Sequence, residues 1–361
     1  MQHRTLAGLL LLLAVSALLL SCAREPSTLP TTDEAVDVPV DEAPAAVSGA
    51  ETPIAWINGT PVASETFEQA VSSLMNQYGA SFAEMGIDIA GIRSGADGRV
   101  FDLAVEAGAF LQVAQQVLTQ QEADRRGITI ASDEIDEEAQ RQYEAYLDAQ
   151  GWSEADLILA LSEQERTLES FKAGIRKYVA DQLLASAVQR AVAGTLDISE
   201  EEVAAFFAAH RTDYGDAELA DVIDDVRADL VNERSYDAAI EWYDQAFRSA
   251  TFEFSSPLLE AAVRQTDDLD GAILVLEAAQ SEGSSDDPYL PYVLGTLYEN
   301  KIASLETAGE QDMSDDVAAQ IEAARAQALE CYRAAQLARP DDPAIQSKIA
   351  KLTGTDDEDT L

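Results

Sequence analysis

An all-α, mainly helical fold carrying one small β-hairpin is what the sequence predicts, and three observations predict it. Apolar residues recur at three- and four-residue spacing over most of the chain. The clearest β signal is the short stretch Ile54 to Val62, whose two arms flank Asn58-Gly59, a pair suited to the positive φ angles of a tight hairpin. Only Cys22 and Cys331 are present, so a folded body of this size must be stabilised by packed helices and not by a disulfide framework.

The chain opens with Met1, Gln2, His3 and Arg4, then an apolar run from Leu6 to Leu20, then Ser21 and Cys22. That is the three-part layout of a secretory signal, and the run is short of the ~20 apolar residues a membrane span needs. Leu19-Leu20-Ser21-Cys22 resembles the lipobox of bacterial lipoproteins, in which the cysteine sulfur takes a diacylglyceryl group. Residues 1–21 are therefore expected to be a leader, and Cys22 a lipidated anchor. Two or three acyl chains, at about 0.8 kcal/mol per buried methylene, give lasting attachment to a membrane. Residues 22–52 hold Pro26, Pro30, Pro39 and Pro44, many acidic and hydroxylated residues and no aromatic, which predicts a disordered tether.

Folded structure is expected from Pro53. After the hairpin, Ser64 opens a helix bearing Phe67, Ala70, Val71 and Leu74, and the Gly86–Gly98 stretch interrupts the pattern. The next helix is the most regular, with Leu103, Ala107, Phe110, Leu111, Ala114, Val117 and Leu118 on one broad face that ends near Gly127. Ser132 opens a helix to Leu147 that stops at Gly151, and Ser153 opens another to Leu161. Thr167 caps a long helix with the ridge Phe171, Ile175, Val179, Leu183 and Ala187. Ser199, followed by Glu200, Glu201 and Glu202, starts a helix carrying Val203, Phe206 and Phe207.

This run of elements resembles the N-terminal domain of SurA/PrsA-type periplasmic chaperones. The resemblance rests on the hairpin at Asn58-Gly59, the helix end Gln121-Glu122-Ala123-Asp124-Arg125-Arg126-Gly127-Ile128, then Ile130-Ala131-Ser132-Asp133-Glu134-Ile135. It continues through Gly151-Trp152-Ser153-Glu154, Phe171-Lys172-Ala173-Gly174-Ile175-Arg176 and Ile198-Ser199-Glu200-Glu201-Glu202-Val203, up to Phe206-Phe207. In that family a parvulin prolyl-isomerase domain normally follows. Here His210 passes directly into Leu219, Val222, Ile223, Val226 and Leu230, a helix like the family's return element, and on to the alternating Phe252-Glu253-Phe254. The resemblance implies the chaperone part alone, over residues 53–254, as a helical cradle for extended apolar polypeptide that uses no ATP and does not isomerise proline.

Residues 255–352 show a second pattern. Ala328, Tyr332, Ala335 and Pro340, at offsets of 4, 7 and 12, resemble the second helix of a tetratricopeptide repeat, and Leu294-Gly295 with Tyr298 resembles the first. The two halves are too far apart for the standard repeat, which predicts an insertion in the turn from Gly309 to Asp316. Ala272, Leu276 and Ala279 give an earlier copy, and Ala239, Tyr243 and Ala246 obey the same offsets. Residues 219–254 thus admit two readings, return elements or a further repeat helix. A repeat array implies a surface for a partner of the cell envelope. Residues 353–361 are an acidic tail.

A formal charge of −44 excludes the basic stripe that nucleic acid requires. Paired-histidine metal sites and parvulin-like proton networks are excluded because His210 is the only histidine beyond the leader. Thr266, Asp268, Asp270, Gly271 and Glu277 fall on a calcium-loop template, but position 1 is Thr and the repeat pattern claims the neighbours. No cofactor, metal or catalysis is expected. Trp56, Trp152 and Trp242 are expected to be core anchors, and Cys331 a small buried hydrophobe. The expected polypeptide contacts are Phe110, Leu111, Phe171, Phe206, Phe207, Tyr292 and Tyr298. The implied setting is lipid-anchored and extracytoplasmic, on the inner or outer membrane. A non-catalytic scaffold of an envelope assembly is the competing reading.

Overall fold

The computed structural model describes residues 52–354 apart from 164, 195 and 310–313. The expected leader, Cys22, nearly all of the expected tether and most of the expected acidic tail lie outside the described residues. Within them, thirteen helices and three short strands are found, so the fold is mainly α as the periodicity predicts. No helix among them is long and apolar enough to cross a membrane.

The hairpin forms as its turn residues dictate. Strands β1 (Ala55–Ile57) and β2 (Thr60–Val62) pair antiparallel around Asn58 and Gly59, both at positive φ, 51° and 79°. Strand β3 (Phe252–Phe254) pairs antiparallel with the other edge of β1, Ala55 opposite Phe254 and Ile57 opposite Phe252, giving the order β2-β1-β3. As the central strand, β1 buries Ala55 and Ile57 completely.

The described residues divide into two compact units, 52–113 with 252–354, and 114–251. The expected division at residue 254 is not the one the contacts make. The cut falls inside helix α3 (Gly95–Arg126), because its first half shares a core with the C-terminal helices.

In the first unit, α1 (Ser64–Glu84) buries Phe67, Leu74, Tyr78 and Phe82, and the Phe82 ring meets Phe101 at 6.3 Å. The glycine-rich stretch contains more helix than expected: α2 (Ile89–Ile92) and then the start of α3 at Gly95. Gly98 is required there, since a Cβ would lie 2.1 Å from the Arg93 carbonyl oxygen.

The C-terminal helices are α9 (Pro257–Arg264), α10 (Leu269–Glu282), α11 (Leu290–Gly309), α12 (Asp315–Ala338) and α13 (Pro343–Thr353). Ser256, Asp268, Ser314 and Asp342 cap four of their N termini, with Pro257 and Pro343 in the first turn. Ala96, Leu103 and Ala107 of α3 join Leu258, Leu276, Tyr292, Leu297, Tyr332 and Ile345 in one core. Helices α11 and α12 interlock where Gly295 faces the Tyr332 ring, a Cβ there falling 2.7 Å from it. The two helices are 20 and 24 residues long, and the expected insertion between Gly309 and Asp316 falls largely on residues 310–313, outside the described residues.

The second unit comprises the rest of α3, then α4 (Ser132–Gln150), α5 (Glu154–Glu163), α6 (Leu168–Ala193), α7 (Glu200–Ala209) and α8 (Leu219–Ser249). Helix α6 packs on α4 and α8, and α8 also on α7. Reciprocal capping boxes, Thr167 with Ser170 and Ser199 with Glu202, start α6 and α7. Gly151 ends α4 in the left-handed conformation, φ 65°. Helix α8 is continuous and leads directly into β3, which pairs with β1 as the return-element reading of residues 219–254 expects. Arg126 donates to Glu122 and also, at 2.5 Å, to the Ala191 carbonyl, placing a guanidinium on the last turn of α6.

Candidate polypeptide-binding surface

Three of the seven expected contact residues are core and offer no surface. Phe110 is 0% exposed, with Phe252 and Phe254 at 5.9 and 4.9 Å between ring centres. It lies on the face of α3 that the returning strand covers, and sequence spacing could not distinguish that face from an open groove. Tyr292 is also 0% exposed and Tyr298 is buried. Their hydroxyls donate to Asp97 and Glu277, each at 2.5 Å. Burial, followed by these carboxylates, raises both phenol pKa values. All three are anchors, which corrects the expectation. Leu111, Phe171, Phe206 and Phe207 are half-buried.

Phe206 and Phe207 flank the small core of Val203, Val226 and Leu230 in the second unit. The Phe207 ring meets Tyr214 at 5.4 Å and lies beneath the Arg211 guanidinium at 4.9 Å, while Phe206 packs on His210. His210 Nδ1 is 3.0 Å from the Phe206 carbonyl oxygen, so the imidazole is engaged with its own helix end.

A partly open aromatic group lies on α4, α5 and α6. Tyr146 meets Phe171 at 5.3 Å and Trp152, edge to face, at 6.4 Å; Tyr143 meets Phe171 at 6.5 Å. Trp152 is 38% exposed, so it departs from the expected core role, whereas Trp56 and Trp242 are half-buried. Ile158 and Leu159 on α5 are 47% and 63% exposed, and Tyr178 on α6 is 41% exposed. Helix α5 buries only Leu157 and Leu161. Its run Leu157-Ile158-Leu159 carries more apolar surface than one face can bury, a signal present in the sequence that helical spacing alone does not expose.

One side of this group is fixed by a polar lock. Glu154 accepts from the Tyr143 hydroxyl at 2.8 Å and from Lys172 Nζ at 3.1 Å, and the ammonium lies 4.4 Å over the Tyr143 ring. The Tyr143 and Lys172 hydrogen bonds hold the Glu154 carboxyl below its usual value. The hydrogen bond to Glu154 in turn raises Lys172. Arg166 lies 5.9 Å over Phe171. Elsewhere in the unit, Ile240 sits among polar residues, from Asp237 to Ser249 on α8, that line a shallow cleft of about 620 Å³.

The calcium-template oxygens are committed otherwise. Asp268 caps α10 by accepting from the Gly271 amide at 2.9 Å, Asp270 pairs with Lys301 at 2.7 Å, and Glu277 holds the Tyr298 hydroxyl. Among the described residues no group of metal-ligand side chains forms a site. Cys331 is buried, and burial followed by the Glu330 and Glu277 charges pushes its thiol up to about 12.

The SurA-like N-terminal domain family model matches residues 43–185. The chain carries a SurA-like N-terminal domain. No curated protein and no solved structure matches the chain significantly. The SurA-like match runs from before the hairpin into α6 and includes the whole α4–α6 aromatic group. It stops short of α7, α8 and β3, although β3 completes the sheet that the SurA-like hairpin begins.

Proposed function

We propose that this is a membrane-tethered, extracytoplasmic chaperone-like protein that holds unfolded or extended segments of exported polypeptides without ATP and catalyses no reaction. The SurA-like domain supports a chaperone-type family and an extracytoplasmic setting. Attachment through Cys22 rests on the sequence of the leader and its cleavage site. The observation that carries the holding role is the open apolar surface of Ile158 and Leu159 on α5 and of Trp152 just before it, Trp152 being joined through Tyr146 to the half-buried Phe171, all inside the SurA-like match. Covering such a side chain contributes at most ~1.5–3 kcal/mol, and ordering the client offsets much of it, which suits weak and broad binding. The C-terminal helices, read as tetratricopeptide-like, would dock an envelope partner.

The test is suppression of aggregation of a denatured outer-membrane protein by the full chain. Wild type should delay aggregation at near-stoichiometric ratios, and the joint replacement Trp152→Asp with Leu159→Asp should weaken the effect several-fold. Prolyl isomerisation assays should read background. A second reading, a scaffold without client binding, is favoured by the burial of Phe110, Tyr292 and Tyr298. Failure to delay aggregation, together with capture of one partner at fixed stoichiometry, would establish the scaffold.

A further inference from the structure

Close in sequence to the open apolar residues of α4–α6 stand carboxylates with no ion-pair partner among the described residues: Asp148 four before Trp152, Glu163 four after Leu159 and Glu169 two before Phe171. Asp148 near the end of α4, Glu163 at the end of α5, Glu165 in the following turn and Glu169 in the first turn of α6 are exposed, and none forms an ion pair among the described residues. Most cations of α4 and α6 are already engaged: Arg141 with Glu138, Lys172 with Glu154 at 3.1 Å, Arg176 with Asp136 at 2.7 Å and Lys177 with Asp181 at 3.2 Å. Arg166 is spent on the Phe171 ring. The fringe of the patch is therefore anionic while its centre is apolar.

We propose that this surface selects extended apolar segments flanked by lysine or arginine and rejects those flanked by aspartate or glutamate. The selection rests on the holding role proposed above. A cationic flank within a Debye length of ~8 Å gains from the free carboxylates without first breaking an existing pair, whereas an acidic flank is repelled. The same fringe disfavours an anionic lipid surface, which leaves polypeptide as the occupant.

The experiment uses the full chain and two labelled unfolded peptides with one shared apolar sequence, flanked by Lys in one and by Glu in the other. Anisotropy at low salt should show the Lys peptide binding on the order of tenfold more tightly, the gain expected of two or three exposed charge pairs. The difference should collapse at high salt. Joint replacement of Asp148→Asn, Glu163→Gln and Glu169→Gln, with helicity checked by circular dichroism, should shrink it to about threefold or less. Equal binding of the two peptides, or preference for Glu, overturns charge selection and leaves the holding role intact. Binding of neither peptide overturns both. An unchanged preference in the triple variant overturns the location, and binding to anionic vesicles without binding to the Lys peptide assigns the surface to lipid.

Discussion

Asp342 shows how much one side chain can join. Its Oδ1 accepts from the Ala344 amide at 3.0 Å and caps α13, while its Oδ2 accepts from the Ala96 amide at 3.0 Å at the start of α3. One carboxylate thus caps two helices separated by most of the chain. Asp342→Ala should destabilise the first unit by about 2 kcal/mol, the cost of two lost caps, and Asp342→Asn by less; urea midpoints read by the burial of Tyr292 would measure both. In the second unit, Glu122 accepts from Arg125 at 2.7 Å and from Arg126 at 2.5 Å. The Arg125 hydrogen bond, opposed by burial and reinforced by Arg126, lowers its carboxyl to about 2. Because the folded value lies below the unfolded one, the stabilisation is complete above the ordinary carboxyl range near ~4.3 and is lost as pH falls from there through about 2. Glu122→Gln should therefore cost on the order of 2 kcal/mol at neutral pH and almost nothing near pH 2. Amide exchange over residues 114–251 at several pH values would read this difference, and a pH-independent cost would remove the arginine clamp as its cause.

At the scale of elements, local chemistry made much of the fold readable. Asn58-Gly59 specified the hairpin, and Ser64, Ser132, Ser153, Thr167 and Ser199 marked helix starts to within a residue or so. Remote partners left no such local mark. Gly98 looked like a breaker, yet it is needed for close backbone packing at the start of α3. Phe110 has the same helical spacing whether it faces a groove or the returning β3. The candidate surface was read only through Phe171, because Trp152 and Leu159 are open for a tertiary reason: no described helix covers that side of α5. The α11–α12 pair offers a direct check. Gly295→Ala would place a methyl 2.7 Å from the Tyr332 ring and should cost about 1–3 kcal/mol through overpacking, as seen in thermal unfolding. A smaller ring-side partner, as in Tyr332→Leu, should partly relieve the clash in the double variant, whereas strictly additive losses would show that the two positions do not interlock.

At the scale of the molecule, the SurA-like match and the compact units do not coincide. Residues 52–113 are SurA-like by sequence but share their core with α9–α13, since Ala96, Leu103 and Ala107 pack among residues from Leu258 to Ile345. A chain ended after Phe254 should therefore retain protease-resistant structure over 114–251 and lose it over 52–113, and limited proteolysis would show this directly. Survival of both segments would mean that the C-terminal helices are an appendage. The sequence could not show this joint core, because the apolar face of α3 carries no mark of the partner that covers its first half. The discontinuity also orders events in time. A polypeptide is made from its N terminus, so the contiguous stretch 114–251 can complete its own contacts early, while β1 waits for β3 and the head of α3 waits for Asp342. Until synthesis reaches the final helix, residues 52–113 remain the last to be protected and the most exposed to wrong pairings.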